Sequence, residues 1–147
     1  MSTTQRSTKH FWRSVASMAA LLVIGYSGSA FSQEVRVLLA GNQEIPQVVT
    51  PASGSGAFTV GADGSVSGSV TTLSLAGTAA HIHEGAVDKN GPVVIPLTQS
   101  SNNVWSAPAG AKLTEAQLAS FRAGMLYVNV HSAANKGGEI RGQLIPK

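Results

Sequence analysis

The sequence predicts an all-β fold, a Greek-key antiparallel β-sandwich of seven or eight short strands with one short connecting helix. Short aliphatic and β-branched runs recur along the chain, with Gly, Asn, Asp and Pro between them. The 147 residues include 16 glycines and only 12% are charged, which suits a turn-rich globular domain better than a disordered chain. Only one segment has the apolar spacing of a helix. A small closed β-barrel is the alternative architecture.

The strand predictions rest on alternating apolar residues between turn residues. In the first strand, Val35, Val37 and Leu39 share one face. Gly41–Gly56, which holds two prolines, is predicted as a loop. The last two strands form a closing pair around the turn Asn135–Gly138. In chain order the predicted strands are Glu34–Ala40, Ala57–Val60, Ser65–Leu73, Ala79–Glu84, Val93–Leu97, Val104–Ala107, Met125–His131 and Glu139–Ile145.

The segment Leu113–Ala123 is predicted as the connecting helix. Thr114 and Gln117 have the spacing of a capping box, in which each side chain bonds the backbone N–H of the other. Gly124 follows at a position where glycine commonly ends a helix. We expect this helix to pack on one end of the sheet.

Residues 1–32 have the three parts of a secretory signal peptide. A basic start precedes the apolar run Val15–Gly25, and Ala30–Ser32 forms a small-x-small cleavage site before Gln33. The apolar run is shorter than the roughly 20 residues that a membrane span needs, although an uncleaved anchor is the alternative. A cut after Ala30 is also compatible with the sequence. We therefore expect an exported protein, periplasmic or secreted, with a single domain at residues 33–147 and no membrane span after cleavage.

Charge and cysteine content exclude several classes of function. From residue 33 onward, seven Lys and Arg residues balance seven Asp and Glu residues, so 7 − 7 = 0 and no basic surface for nucleic acid is expected. The chain has no cysteine, which excludes disulfides, thiolate metal sites and cysteine nucleophiles. No Gly-x-Ser-x-Gly motif is present, and the carboxylates show no pairing that would indicate a glycosidase. An enzymatic activity is therefore uncertain and is not the favoured interpretation.

The histidines supply the strongest candidate for a functional site. His81 and His83 are two residues apart in a predicted strand, so both project from one face. His131 lies in another predicted strand, on the face opposite its aliphatic side chains. If the two strands are neighbours, the three imidazoles converge on one patch. Such a patch can bind copper or zinc and leave one coordination position open, so we predict a metal site at His81, His83 and His131. Alternatively, the histidines form only hydrogen bonds.

Three polar residues near the histidines have two interpretations. Glu84, Asn129 and Asp88 are candidates for additional ligands, or for hydrogen-bond acceptors behind the histidines. The favoured interpretation is that they are solvated polar groups at strand ends and turns.

The last strand carries a charged pair. Glu139 and Arg141 share one face of it, and Glu44 lies in the loop after the first strand. A charge network from Arg141 to Glu44 or Glu139 would tie the last strand to the first. We interpret this network as structural.

Three blocks of the chain carry a family resemblance. In chain order they are Leu39–Pro46 (LAGNQEIP), Ala79–Gly85 (AAHIHEG) with Asn90–Val94 (NGPVV), and Leu126–His131 (LYVNVH) with Gly138–Leu144 (GEIRGQL). In this order they resemble the CHRD domain, which is named after its occurrence in chordin. The resemblance covers Val35–Ile145 and implies a β-sandwich and an exported location, but little about activity. The chain departs from the family pattern at Glu84–Lys89, which is more acidic than the small-residue stretch typical of the family.

The block His81–Glu84 also resembles the copper-ligand strand of copper/zinc superoxide dismutases. The expected sandwich is therefore of the immunoglobulin-like or superoxide-dismutase-like kind. Those enzymes need further histidines, an aspartate and a disulfide for their dinuclear site. This chain has three histidines after the predicted leader and no cysteine, so only a single copper or zinc ion is compatible with it.

Three hypotheses about function follow from these observations. In the first, the protein is non-enzymatic and binds one copper or zinc ion. In the second, it is a structural or adhesive module for an unidentified protein or surface partner. In the third, it is a mononuclear copper redox enzyme. Ring nitrogens within about 4 Å of one another would fit a shared ion, and separations beyond about 8 Å would exclude it.

Overall fold

A computed structural model describes residue 1 and residues 32–147. The predicted signal peptide lies outside the described residues except at its two ends. The described part forms nine strands and one α-helix, so the all-β prediction is confirmed. The strands are β1 (Ser32–Ala40), β2 (Ser53–Gly61), β3 (Val66–Leu73), β4 (Gly77–Glu84), β5 (Val93–Pro96), β6 (Thr98–Ser101), β7 (Val104–Ser106), β8 (Leu126–Ser132) and β9 (Ile140–Leu144), and the helix is α1 (Glu115–Arg122).

The nine strands form one antiparallel sheet that nearly closes on itself. Their order is β5-β4-β8-β9-β1-β2-β3-β7-β6. The two end strands, β5 and β6, are consecutive in the chain and are separated only by Leu97. The Leu97 N–H donates to the Ala80 carbonyl of β4 at 2.9 Å and so extends the β4–β5 pairing up to the start of β6. The connections from β3 to β4 and from β7 to β8 join distant strands, as Greek-key connectivity requires. The architecture therefore has features of both the predicted sandwich and the alternative barrel.

The core lies inside this curved sheet and follows the period-two alternation of the strands. In β1, Val35, Val37 and Leu39 are buried, as predicted. Phe58 of β2 and Val70 of β3 are fully buried against them in the same hydrophobic cluster. The apolar face of each strand thus faces inward, which leaves the opposite face for other contacts.

Two elements differ from the sequence-based prediction. Strand β2 begins at Ser53, whereas residues 53–56 were predicted as loop. The glycines of this stretch favoured the loop interpretation. In the structure, Gly56 opposes Val37 of β1, and glycine fits there because a Cβ would overlap the backbone of Ser69. Strand β6 was not predicted at all, because all four of its residues are polar and exposed.

The helix α1 forms where capping signals predicted it, although it is shorter. The Thr114 hydroxyl accepts from the Gln117 N–H at 3.2 Å, and the Gln117 side chain accepts from the Thr114 N–H at 2.9 Å. Gly124 follows with φ +70. Phe121 is 1% exposed, and the Ser120 hydroxyl donates to Glu84 at 2.6 Å, which ties the helix to the end of β4.

The last strand lies beside the first, as the sequence indicated. Strand β9 pairs with β1 at Arg141 and Ala40, and with β8 along its whole length. Within residues 32–147, no helix has the length and hydropathy needed to cross a membrane.

Candidate metal centre

The three predicted histidines meet on the outer face of two neighbouring strands. Strands β4 and β8 pair so that Ala79 opposes His131, His81 opposes Asn129 and His83 opposes Tyr127. The other face of the same strands lies in the core, where Ala80, Ile82, Val128 and Val130 are at most 1% exposed. The prediction that the histidines converge is therefore confirmed at the level of geometry.

The ring nitrogens are close enough for one shared ion after a small adjustment. His81 Nδ1 lies 3.0 Å from His131 Nε2. One nitrogen from each of the three rings lies within 4.8 Å of the others. Two zinc–nitrogen bonds of about 2.1 Å at the tetrahedral angle place their nitrogens about 3.4 Å apart, so the most distant pair must approach by at most about 1.4 Å. The separations lie well inside the 8 Å that would exclude a shared site.

In two of the rings, a backbone carbonyl determines which nitrogen carries the proton. His83 Nδ1 lies 2.9 Å from the Gly91 carbonyl, and His131 Nδ1 lies 2.8 Å from the Lys136 carbonyl. Because a carbonyl only accepts, each Nδ1 carries the proton and each Nε2 of the neutral ring carries a lone pair. This is the arrangement in which histidines usually bind metals. His83 Nε2 is also buried and has no hydrogen-bond partner.

Burial keeps two of the rings in the neutral form. Desolvation lowers the pKa of His81, and the neighbouring His131 and His83 lower it further. Desolvation also lowers the pKa of His83, partly opposed by its hydrogen bond to Gly91. Neutral imidazoles are the ligand form, so the site is ready for a cation near neutral pH.

The Tyr127 ring and the Arg141 guanidinium form a stack that supports the His83 ring. The His83 and Tyr127 rings are parallel, with centroids 4.9 Å apart and an interplanar angle of 6°. The Arg141 guanidinium carbon lies 3.5 Å from the Tyr127 ring centroid. The Tyr127 hydroxyl accepts from the Gly91 N–H at 3.2 Å, and the Gly91 carbonyl is the partner of His83. A Cβ at Gly91 would overlap the Glu84 carbonyl, so this close approach requires glycine.

Arg141 supports the loop after β4 and does not form the predicted charge network. It is 1% exposed and donates to the carbonyls of Ala86 at 2.8 Å and Lys89 at 3.0 Å. It also donates to Asn90 Oδ1 and to Gln143 Oε1, each at 3.2 Å. No ion pair within 4.0 Å joins Arg141 to Glu44 or Glu139 in the described part of the chain, so the direct contact is absent, although Arg141 and Glu44 still attract each other over a longer distance. The loop carbonyls are better partners because they surround the guanidinium from several sides.

A buried acid lies beside the histidine patch, and sequence reasoning missed its burial. Glu44 is 3% exposed, and burial raises its pKa to about 7, against the attraction of Arg141 and a hydrogen bond from Asn129. Its Oε1 has no hydrogen-bond partner. Gly138 leaves the space for this carboxyl, since a Cβ there would overlap Glu44 Oε1 and crowd Asn129 Nδ2. The motif LAGNQEIP contains this glutamate, but only the folded structure brings it to β8.

The other acidic candidates lie elsewhere. Glu84 accepts from Ser120 at the helix end. Asp88 is exposed and lies 3.8 Å from the Lys89 ammonium. Both therefore have the solvated or structural role that the sequence left open, whereas Asn129 is 2% exposed within the patch.

The patch is open to solvent on one side. A cleft of about 490 Å³ lies beside His81 and His131, and its lining includes Thr78 and Lys136. His83 is 8% exposed and lies deeper. An ion held by the three rings would therefore be anchored on its inner side and approachable from the cleft.

The fold and the patch together define a nearly closed antiparallel β-domain with three histidines on one outer face. The sequence profile of the CHRD domain matches residues 35–144, about three quarters of the chain, and the chain belongs to this family. The match includes β1 to β9 except the first three residues of β1, and it includes the three histidines of the patch. No curated protein and no solved structure gave a match to this chain.

Proposed function

We propose that this is an exported CHRD-domain protein that binds a single copper or zinc ion through His81, His83 and His131, without catalysing a reaction. The observation that carries the proposal is the convergence of the three rings, with one nitrogen of each within 4.8 Å of the others. Two of those rings donate their Nδ1 protons to backbone carbonyls, so their lone pairs are on Nε2. His83 Nε2 has no hydrogen-bond partner, and His131 Nε2 hydrogen-bonds with His81 Nδ1 at 3.0 Å. Imidazole favours copper and zinc among the divalent ions.

Metal binding is tested by calorimetric titration of the purified, metal-free protein with Cu²⁺ and Zn²⁺. We expect one equivalent to bind and to raise the melting temperature. His81→Ala and His131→Ala should each weaken binding by about a hundredfold or more, because each removes one of three ligands. Thr78→Ala is the matched control, since Thr78 lines the same cleft without a ring nitrogen.

Other outcomes of this titration would favour the two alternatives. If neither ion binds, or if both histidine variants bind as the wild type does, the histidines have only the hydrogen bonds described above. The domain would then be a structural or adhesive module with a protein or surface partner. If copper binds and is reversibly reduced in voltammetry, the open cleft beside His81 and His131 favours a mononuclear redox enzyme.

We also propose that residues 1–32 direct export and are removed. The support is the basic start, the apolar run Val15–Gly25 and the site before Gln33. The intact mass of the protein recovered from a bacterial periplasm or medium should correspond to a chain that begins at Gln33. Leu22→Arg interrupts the apolar run and should leave the precursor uncleaved in the cytoplasm. An uncleaved wild-type chain in the membrane fraction would contradict the proposal.

A further inference from the structure

We propose that Asn129 supplies a fourth ligand through its side-chain carbonyl oxygen, so that the ion is bound by three nitrogens and one oxygen. This inference rests on the proposed metal function. It concerns a buried side-chain oxygen that has no hydrogen-bond partner, and it defines the coordination sphere of the ion.

Asn129 lies in the middle of the histidine patch. It opposes His81 in the pairing of β4 and β8, and it is two residues from His131 on the same face of β8. It is 2% exposed, although amides rarely lose contact with water without hydrogen bonds in return. Its Oδ1 is buried without a partner.

The contacts of the amide nitrogen determine which way the oxygen points. Asn129 Nδ2 lies 3.4 Å from the Gly137 carbonyl, and the Glu44 carboxyl lies beside it. Both neighbours are acceptors, so the NH₂ group belongs on their side. The carbonyl oxygen then points away from both acceptors, towards the histidine side of the patch, where Asn129 opposes His81.

Two acceptor atoms of the patch are therefore buried without a donor. His83 gives its only ring proton to the Gly91 carbonyl, so Nε2 is an acceptor, and Asn129 Oδ1 is an acceptor too. Neither atom has a hydrogen-bond partner. Two buried acceptors without a donor are unfavourable unless a cation or a water molecule lies between them. A cation here would also contact the other two rings, whose nitrogens lie within 4.8 Å.

The donor set suits a four-coordinate divalent ion. Zinc in proteins takes nitrogen and oxygen ligands in tetrahedral geometry, and a carbonyl oxygen is a neutral ligand. Glu44 lies on the far side of the amide, where its negative form would polarise the carbonyl towards the ion. Asn129 would thus connect the buried acid to the metal.

The decisive experiment follows the side-chain amides by NMR during Zn²⁺ titration of protein labelled at Asn and Gln side chains. We expect the ¹³Cγ and ¹⁵Nδ2 resonances of Asn129 to shift with the first equivalent, in step with the histidine resonances. Gln143, a half-buried amide of β9 whose NH₂ group bonds the Gly85 and Gly124 carbonyls, is the internal control and should not shift comparably. Histidine shifts without an Asn129 shift would overturn the inference and leave a water molecule as the fourth ligand.

Affinity variants give an independent readout. Asn129→Ala should weaken Zn²⁺ binding by about tenfold or more in competition with a chelating dye, and Asn129→Asp should recover it. Glu44→Gln keeps Asn129 in place, so it should change the affinity less than Asn129→Ala does. An Asn129→Ala variant that binds within twofold of the wild type would also overturn the inference. If the wild type shows no histidine shifts at all, the proposed metal function itself fails. The same spectra therefore distinguish failure of the metal function from failure of the Asn129 inference alone.

Discussion

Replacing Arg141 with leucine is expected to lower the free energy of unfolding by about 3–5 kcal/mol, the range for a buried, fully bonded charged group. The guanidinium is 1% exposed and stacks on Tyr127. Its removal would leave the Lys89 carbonyl without the guanidinium donor and the Ala86 carbonyl with only the Lys89 N–H, and leucine cannot replace these hydrogen bonds. Urea denaturation followed by circular dichroism measures the loss.

Two variants serve as controls for this result. Arg36→Leu removes an arginine whose side chain is 87% exposed and should change stability by no more than about 0.5 kcal/mol. Arg141→Lys keeps the charge but loses the planar fork, so it should recover only part of the loss. A loss below about 1 kcal/mol for Arg141→Leu would mean that the loop after β4 is stable without the guanidinium.

The stability of this loop bears on the metal site because Gly91 belongs to it. The Gly91 carbonyl fixes the proton of His83, and the Tyr127 hydroxyl fixes Gly91. Arg141 contacts both Tyr127 and the loop, so it positions His83 without touching the histidines. We infer that the same residue supports the fold and preorganises the deepest ring of the patch.

Local pattern was enough to predict the strand faces on which the three histidines lie. Strand alternation places His81 and His83 on one face, and the aliphatic residues of β8 place His131 on the face opposite the core. The remaining condition, that β4 and β8 are neighbours, could not be read from the pattern and is supplied by the sheet order. Period-two alternation is a local property, whereas strand adjacency depends on the whole topology.

The surroundings of the patch depend on long-range packing and escaped prediction. Glu44 follows β1, yet it is buried beside Asn129 of β8 because Gly138 leaves space for it. Arg141 was expected to pair with an acid, yet its partners are carbonyls that become available only when the loop 85–91 folds back over β9. Backbone acceptors carry no signature in the sequence. Strand β6 was missed for a related reason, since its pairing with β7 rather than its side chains makes it a strand.

Replacing Glu44 with glutamine is expected to stabilise the metal-free protein at pH 8 by about 2–3 kcal/mol and to have little effect at pH 4. Burial raises the pKa of Glu44 from 4.5 to about 7 in the folded state. Between these two values the folded protein binds more protons than the unfolded chain, so this carboxyl lowers the free energy of unfolding as the pH rises. Glutamine resembles the protonated acid and never ionises, so it avoids that loss. Urea denaturation at both pH values, with a chelator present, measures the difference.

The difference between variant and wild type isolates Glu44 from the histidines. His81 and His83 have lowered pKa values, so they make stability rise with pH through the range where they lose protons. Both proteins keep these rings, and the contribution cancels in the comparison. Glu34→Gln, at an exposed carboxyl, is the matched control and should give no such pH-dependent gain. Equal stability differences at pH 4 and pH 8 would mean that Arg141 and Asn129 compensate the buried charge fully, because they are the groups that lower the pKa of Glu44.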